Sequence, residues 1–93
     1  MPITTRKPSM CNSFSGNPGD PVEWQGIPAG GCTISQAGNN TFPFSPASQG
    51  ADGPYITLPT TANITITSTL TSAVYTFEVS CCADHALKTV TVG

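Results

Sequence analysis

Cys81 and Cys82 stand side by side in the stretch YTFEVSCCADHALKTVTV, with Asp84 and His85 just beyond them and Cys11 and Cys32 far upstream. These residue types admit several chemistries. Four cysteines can close two disulfides, or remain reduced thiols if the chain stays in a reducing cytosol. Cys82 and His85 also have ligand-like spacing for zinc, but the paired C-x-x-C signature of a structural zinc site is missing. A cysteine near a histidine and an aspartate suggests a nucleophile with its base. Here, however, Asp84 and His85 fall in a segment that reads as a hairpin turn, where such side chains ordinarily shape the turn. The five carboxylates are dispersed and form no pair spaced for acid–base work or for calcium. No catalytic, metal or cofactor-binding residue is assigned, and the expectation is a protein that is not an enzyme.

The elements that would position these cysteines are β-strands. In AVYTFEVSC, Ala73, Tyr75, Phe77, Val79 and Cys81 alternate with Val74, Thr76, Glu78 and Ser80, so one face must pack into a core. LKTVTV follows through the turn ADHA and pairs with it, placing Val90 and Val92 inside. Upstream, PVEWQG puts Val22 and Trp24 on one face and CTIS does the same for Cys32 and Ile34. The turn material IPAGG between them predicts two short strands joined by a tight connection. PYITL and NITITSTL show the same β-branched alternation. The predicted core is Trp24, Ile34, Ile64, Ile66, Tyr75, Phe77, Val79, Val90 and Val92. No window has a helical period, so helix content is expected near zero. On this phase Cys81 points inward, as does Cys32, while Cys82 points to the other face, where an N-terminal segment could bring Cys11. The expected disulfides are Cys32 to Cys81 by phase and Cys11 to Cys82 by elimination. An adjacent Cys81 to Cys82 bridge would be strained.

Composition bounds the function. At 93 residues the chain is one domain, and only 9% of it is charged, against about a quarter in an average protein. Three basic residues and a net charge of −2 leave no footprint for a nucleic-acid backbone. No apolar run approaches the roughly 18 residues of a membrane-spanning helix. The start MPITTRKPSMCNSF lacks a secretory h-region, so the expectation is either a chain made and used without export or one whose leader has been removed. Charge is uneven: residues 1–19 hold Arg6 and Lys7 and no acid, and residues 20–93 hold all five acids and Lys88. Residues 1–20, rich in Pro and Gly, read as an extended N-terminal arm, and residues 21–93 as the folded domain.

Short strands separated by turn signals suggest an antiparallel sandwich. The V-x-W strand, the C-x-I strand and the closing Y-T-F-E-V-S-C and T-V-T-V hairpin resemble immunoglobulin-like and PKD-like β-sandwich modules of phage virion and bacterial surface proteins. The resemblance spans about residues 21–93. It departs from the antibody pattern, because Trp24 precedes Cys32 and does not lie between two bridged cysteines. Fold class is therefore all-β, an antiparallel Ig-like β-sandwich with an extended N-terminal arm. The missing leader, the low charge, the Thr-rich strands, the four cysteines and the arm together give the expectation of a non-enzymatic structural virion protein, such as a phage capsid decoration or a head or tail accessory subunit. Its partners would be capsid or tail proteins or copies of itself, with no nucleic acid and no membrane. The alternative is a carbohydrate- or protein-binding Ig-like module of a secreted or cell-surface bacterial protein, placed outside the cell and not on a virion. Partner-binding candidates are Arg6 and Lys7 in the arm, and Phe42 and Phe44 in the long loop QAGNNTFPFSPASQGADGP, where aromatic rings either anchor a partner or fold back to cap the sandwich. Asn39 and Asn63 match the N-glycosylation pattern, which matters only on a eukaryotic secretory route.

Overall fold

Alternating β-branched and aromatic residues give eight strands and, among the described residues, no helix. The computed structural model describes residues 3–82 and 87–93. The strands are β1 (Phe14–Gly16), β2 (Cys32–Gln36), β3 (Phe44–Ser45), β4 (Ser48–Gly50), β5 (Gly53–Leu58), β6 (Thr65–Ile66), β7 (Ala73–Val79) and β8 (Leu87–Val92). A six-stranded sheet has the order β1-β8-β7-β2-β5-β4, and β3 pairs with β6 in a separate two-stranded sheet. The protein is all-β. Its large sheet is mixed and not wholly antiparallel, because β1 runs parallel to β8 with Phe14 opposite Val90 and Gly16 opposite Val92. The reason lies in the route of the chain: β1 comes from the N-terminal segment and not from a hairpin, and only hairpin neighbours are obliged to run antiparallel. The β7 and β8 strands do pair as expected, with Tyr75 opposite Val90 and Phe77 opposite Lys88.

The two sheets share one core. Ile34, Ile56, Leu58, Phe77, Val79, Val90 and Val92 come from the large sheet, and Phe44, Ile64 and Ile66 from the small sheet or its approach, joined by Val22 and Trp24. Phe44 is at the centre, edge-on to Trp24 and Phe77 with ring centroids 5.0 Å away in each case, and stacked on Phe14 at 6.0 Å. These spacings suit aromatic quadrupoles, which favour edge-to-face and offset contacts. Tyr75, expected inside, is only half-buried. Its hydroxyl donates to the Thr71 carbonyl at 2.9 Å, so the ring covers the core while the phenol tip stays near water.

Residues 21–25 do not form a hairpin with β2. They lie between two other partners. On one side Val22 N–H donates to Ile64 O at 2.8 Å and Ile66 N–H to Asp20 O at 2.9 Å. On the other, the N-terminal segment runs parallel: Arg6 N–H donates to Pro21 O, Glu23 N–H to Arg6 O, Gln25 N–H to Pro8 O and Met10 N–H to Gln25 O, all at 2.8–2.9 Å. This is a parallel ladder with one rung missing, because Pro8 has no N–H to offer the Glu23 carbonyl. Bridges remain at Arg6 with Val22 and Ser9 with Gln25. The turn IPAGG therefore carries the chain from this ladder into the large sheet, where β2 pairs with β5 and β7. At the end of β1, Gly16 allows a close approach between the sheets, since a Cβ there would lie 2.6 Å from Ile66 Cδ1.

Candidate functional site

The cysteines close two disulfides, Cys11–Cys82 and Cys32–Cys81, with Cα separations of 5.4 and 5.3 Å. These are the pairs expected from the sequence, but the local geometry differs from a continued strand. β7 ends at Val79, and residues 80 and 81 form a turn, so Cys81 and Cys82 do not point to opposite faces. The sulfurs of Cys11, Cys81 and Cys82 lie within 4.8 Å of one another. Cys11 meets them from a tight turn, with φ of 69° and the Asn12 N–H on Ser9 O at 3.2 Å. Ser80 holds the end of β7 to β2: its N–H donates to Thr33 O, and its hydroxyl accepts from Thr33 N–H, both at 2.9 Å. With every cysteine bonded to another, this form of the protein offers no thiolate to zinc or to a substrate. Asp84 and His85 lie outside the described residues.

The four partner-binding candidates separate. Phe44 is 2% exposed and is corrected to a core residue, since its ring is enclosed by Phe14, Trp24, Phe42 and Phe77. Phe42 is half-buried against the same cluster. Of the two readings of the long loop, inward folding is the one that describes Phe44. Arg6 turns back onto the body, where its Nε donates to Asp20 Oδ2 at 2.9 Å. Lys7 is exposed. The arm is thus extended but docked on its own domain along the ladder with residues 21–25, through β1 and through Cys11.

Asp20 is the one buried charged residue among those described. Burial by itself raises its pKa, but the N–H of Asn17, the Arg6 guanidinium and the N–H of Thr4 act the other way and hold the carboxyl below its ordinary value. The sequence held no signal for this pair beyond the two opposite charges, because the separation of 14 residues reflects the path of the arm and not any local period.

Two surfaces stand out among the described residues. The first is the outer face of the large sheet. Leu87, Glu78, Ser35, Tyr55 and Ser48 form one in-register row across five strands, with Thr89 opposite Thr76 and Thr91 between Val74 and Ser15. Hydroxyls dominate this face, and Val74 and Leu87 stand out of it at 60% and 50% exposure. The second is a groove of about 550 Å³ between residues 21–27 and 58–65, bordered by Trp24, Glu23, Ile27, Pro59, Thr61 and Asn63. Sequence periodicity assigned Trp24 to the core, and 7% exposure agrees. What periodicity could not register is that the indole carries one polar atom, which needs a partner or an opening. Comparison of the chain with protein-family models, with curated proteins and with solved structures finds no match.

Proposed function

We propose that this protein is a non-enzymatic structural module on the Ig-like sandwich plan, a virion accessory subunit of the capsid-decoration or head–tail kind that docks on a larger assembly. The outer face of the six-stranded sheet carries the reading. Its rows of Ser and Thr carry Glu78, with Asp52 bordering the same cleft, and it exposes Val74 and Leu87. A sparsely charged face with apolar side chains standing proud suits contact with another protein surface, because few charges must be stripped of water on docking. Two disulfides favour use in oxidising surroundings. Docking moves from the arm, where the sequence pointed, to this face, because Arg6 already holds Asp20. The test is occupancy. Particles purified from a lysate of the source should carry the chain, and Val74→Glu with Leu87→Glu should strip it from them while leaving the fold intact. Absence of the chain from every particle fraction, or unchanged occupancy of the double variant, would overturn the reading.

A further inference from the structure

The sulfurs hold a second chemistry that the disulfide-bonded form conceals. Those of Cys11, Cys81 and Cys82 lie within 4.8 Å of one another, and Cys32 is bonded to Cys81, so sulfurs from three distant segments meet in one cluster. The backbone that carries them is tied by hydrogen bonds of its own. On either side of Cys11, Met10 N–H donates to Gln25 O at 2.9 Å and Asn12 N–H to Ser9 O at 3.2 Å. Next to Cys81 and Cys32, Ser80 N–H donates to Thr33 O at 2.9 Å, and Cys32 itself lies in register with Leu58 in the sheet. Reduction of the bridges therefore leaves the four thiols gathered. Cys32 is buried and the other three are half-buried, so the cluster runs from the core to the surface and is open to an entering ion.

We infer that the reduced protein binds one Zn²⁺ through the thiolates of Cys11, Cys32, Cys81 and Cys82. Thiolates select a soft or borderline ion over Mg²⁺ or Ca²⁺. Zinc–sulfur bonds of about 2.3 Å in a tetrahedron set the sulfurs about 3.8 Å apart, a spacing inside the span of the cluster. The paired C-x-x-C signature is absent because the fold supplies the proximity: two ligands are neighbours in the turn after β7, and the others arrive from β2 and from the arm. Ser80 adds an outer-shell donor, since its hydroxyl accepts from Thr33 N–H at 2.9 Å and donates to Cys32 Sγ at 3.9 Å. Reaching the reduced form takes two electrons per bridge, supplied by a dithiol or a phosphine. On loading, four thiols release four protons to water as four Zn–S bonds form, so affinity falls as pH is lowered. In reverse, two molecules of a small disulfide oxidise the four thiolates to the two bridges, are themselves reduced to four thiolates, and free the ion. Bridge and metal are thus alternative clasps on the same three segments.

The full chain is reduced with a phosphine under argon and titrated with Zn²⁺ against a chromophoric chelator, and separately with Co²⁺, whose spectrum reports its ligands. Uptake of one equivalent is expected, with the thiolate charge-transfer and tetrahedral bands of a four-sulfur cobalt site. Ser80→Ala keeps every ligand and should weaken zinc binding about tenfold; replacing any one cysteine by Ser should weaken it more. An unfolded four-thiol chain also takes up zinc, so the same titration in urea sets the reference, and the native affinity should exceed it by at least about tenfold. If reduction alone removes the β circular dichroism, zinc should restore it. Oxidised glutathione should then release the ion as both bridges re-form. The inference is overturned by uptake short of one equivalent, by a cobalt spectrum without thiolate bands, or by equal affinity in urea. It is equally overturned by an affinity unchanged in any of the five variants, or by a reduced chain that zinc fails to refold. Particle occupancy is measured on the disulfide-bonded chain, so failure here is distinguishable from failure of the docking reading.

Discussion

The β7–β8 hairpin and the stretch from Arg6 to Gln25 are built from the same backbone hydrogen bonds, yet they differ in where the instructions for pairing lie. In the hairpin, alternation places Phe77, Val79, Val90 and Val92 inward, and adjacency along the chain supplies the partner. The N-terminal stretch has partners only at a distance: Arg6 finds Val22, Phe14 finds Val90, and Cys11 finds Cys82 across 71 residues. Alternation in that stretch is weak, and its strand-like conformation comes from docking. Local pattern is enough to say that a segment is extended; topology decides what it lies against.

The two regions meet at Phe44, whose ring touches Phe14 and Trp24 on one side and Phe77 on the other. Phe44→Ala should therefore be the most damaging single change, costing about 3–5 kcal/mol. Denaturant unfolding followed by circular dichroism measures it. A loss below about 1 kcal/mol would mean that the regions do not share a core. Next in size is the covalent tie. Replacing Cys11 and Cys82 together by Ser removes the cross-link from the N-terminal stretch to the end of β7, and should cost about 2–4 kcal/mol. Hydrogen exchange should then show residues 6–16 opening at lower free energy than β7 and β8. Equal protection in both would show that the arm is held by its hydrogen bonds without the disulfide.

Several features are legible in the sequence alone. The all-β class, the hairpin and most of the core follow from period-2 alternation, which is a direct consequence of strand geometry. Both expected disulfides form, Cys32–Cys81 and Cys11–Cys82, although Cys81 lies in the turn that ends β7 and not in continued strand phase. Four features were not legible, each for a physical reason. Trp24 and Val22 alternate correctly but pair with the arm and with Ile64, because alternation specifies a face and not a neighbour. Phe44 was balanced between partner and core, since Pro43 and the surrounding turn residues look the same in either case. Tyr75 shares the phase of Phe77, but its hydroxyl bonds Thr71 O, and a half-polar ring settles where both ends are satisfied. The groove was hidden for a related reason: its walls come from residues 21–27 and 58–65, which no sequence period relates.

A smaller effect tests the electrostatic joint of the arm. Asp20 accepts from Arg6 Nε and from Asn17 N–H, each at 2.9 Å. Asp20→Asn weakens the acceptor and leaves the Arg6 charge without its partner, for an expected loss of about 1–3 kcal/mol at neutral pH. The pH dependence has a definite sign. Because the native carboxyl titrates below its ordinary value, its contribution is fully present above the unfolded value of about 4 and is lost as pH falls through the lower native value. The gap between wild type and Asp20→Asn should accordingly narrow as pH is lowered below about 4. A gap that widens on acidification would show that burial, and not the donors, dominates the site.

The smallest effect probes the missing rung itself. Pro8 cannot donate to the Glu23 carbonyl, and the side-chain amide of Gln25 donates there at 3.2 Å, taking the place of the absent backbone group. Gln25→Ala should leave that carbonyl with solvent alone and cost about 0.5–1 kcal/mol, a modest figure because the bond is exposed. Pro8→Ala restores an N–H in ladder register but also frees the unfolded chain and trims a buried ring, so its net effect should stay within about 1 kcal/mol. The two changes are therefore best read together. If the backbone N–H of an alanine at position 8 takes over the Glu23 carbonyl, Gln25→Ala becomes neutral in that background, and the double-mutant cycle shows a coupling of about 0.5 kcal/mol or more. Strict additivity would mean that Gln25 does not stand in for the rung, and that the parallel ladder tolerates its gap unaided.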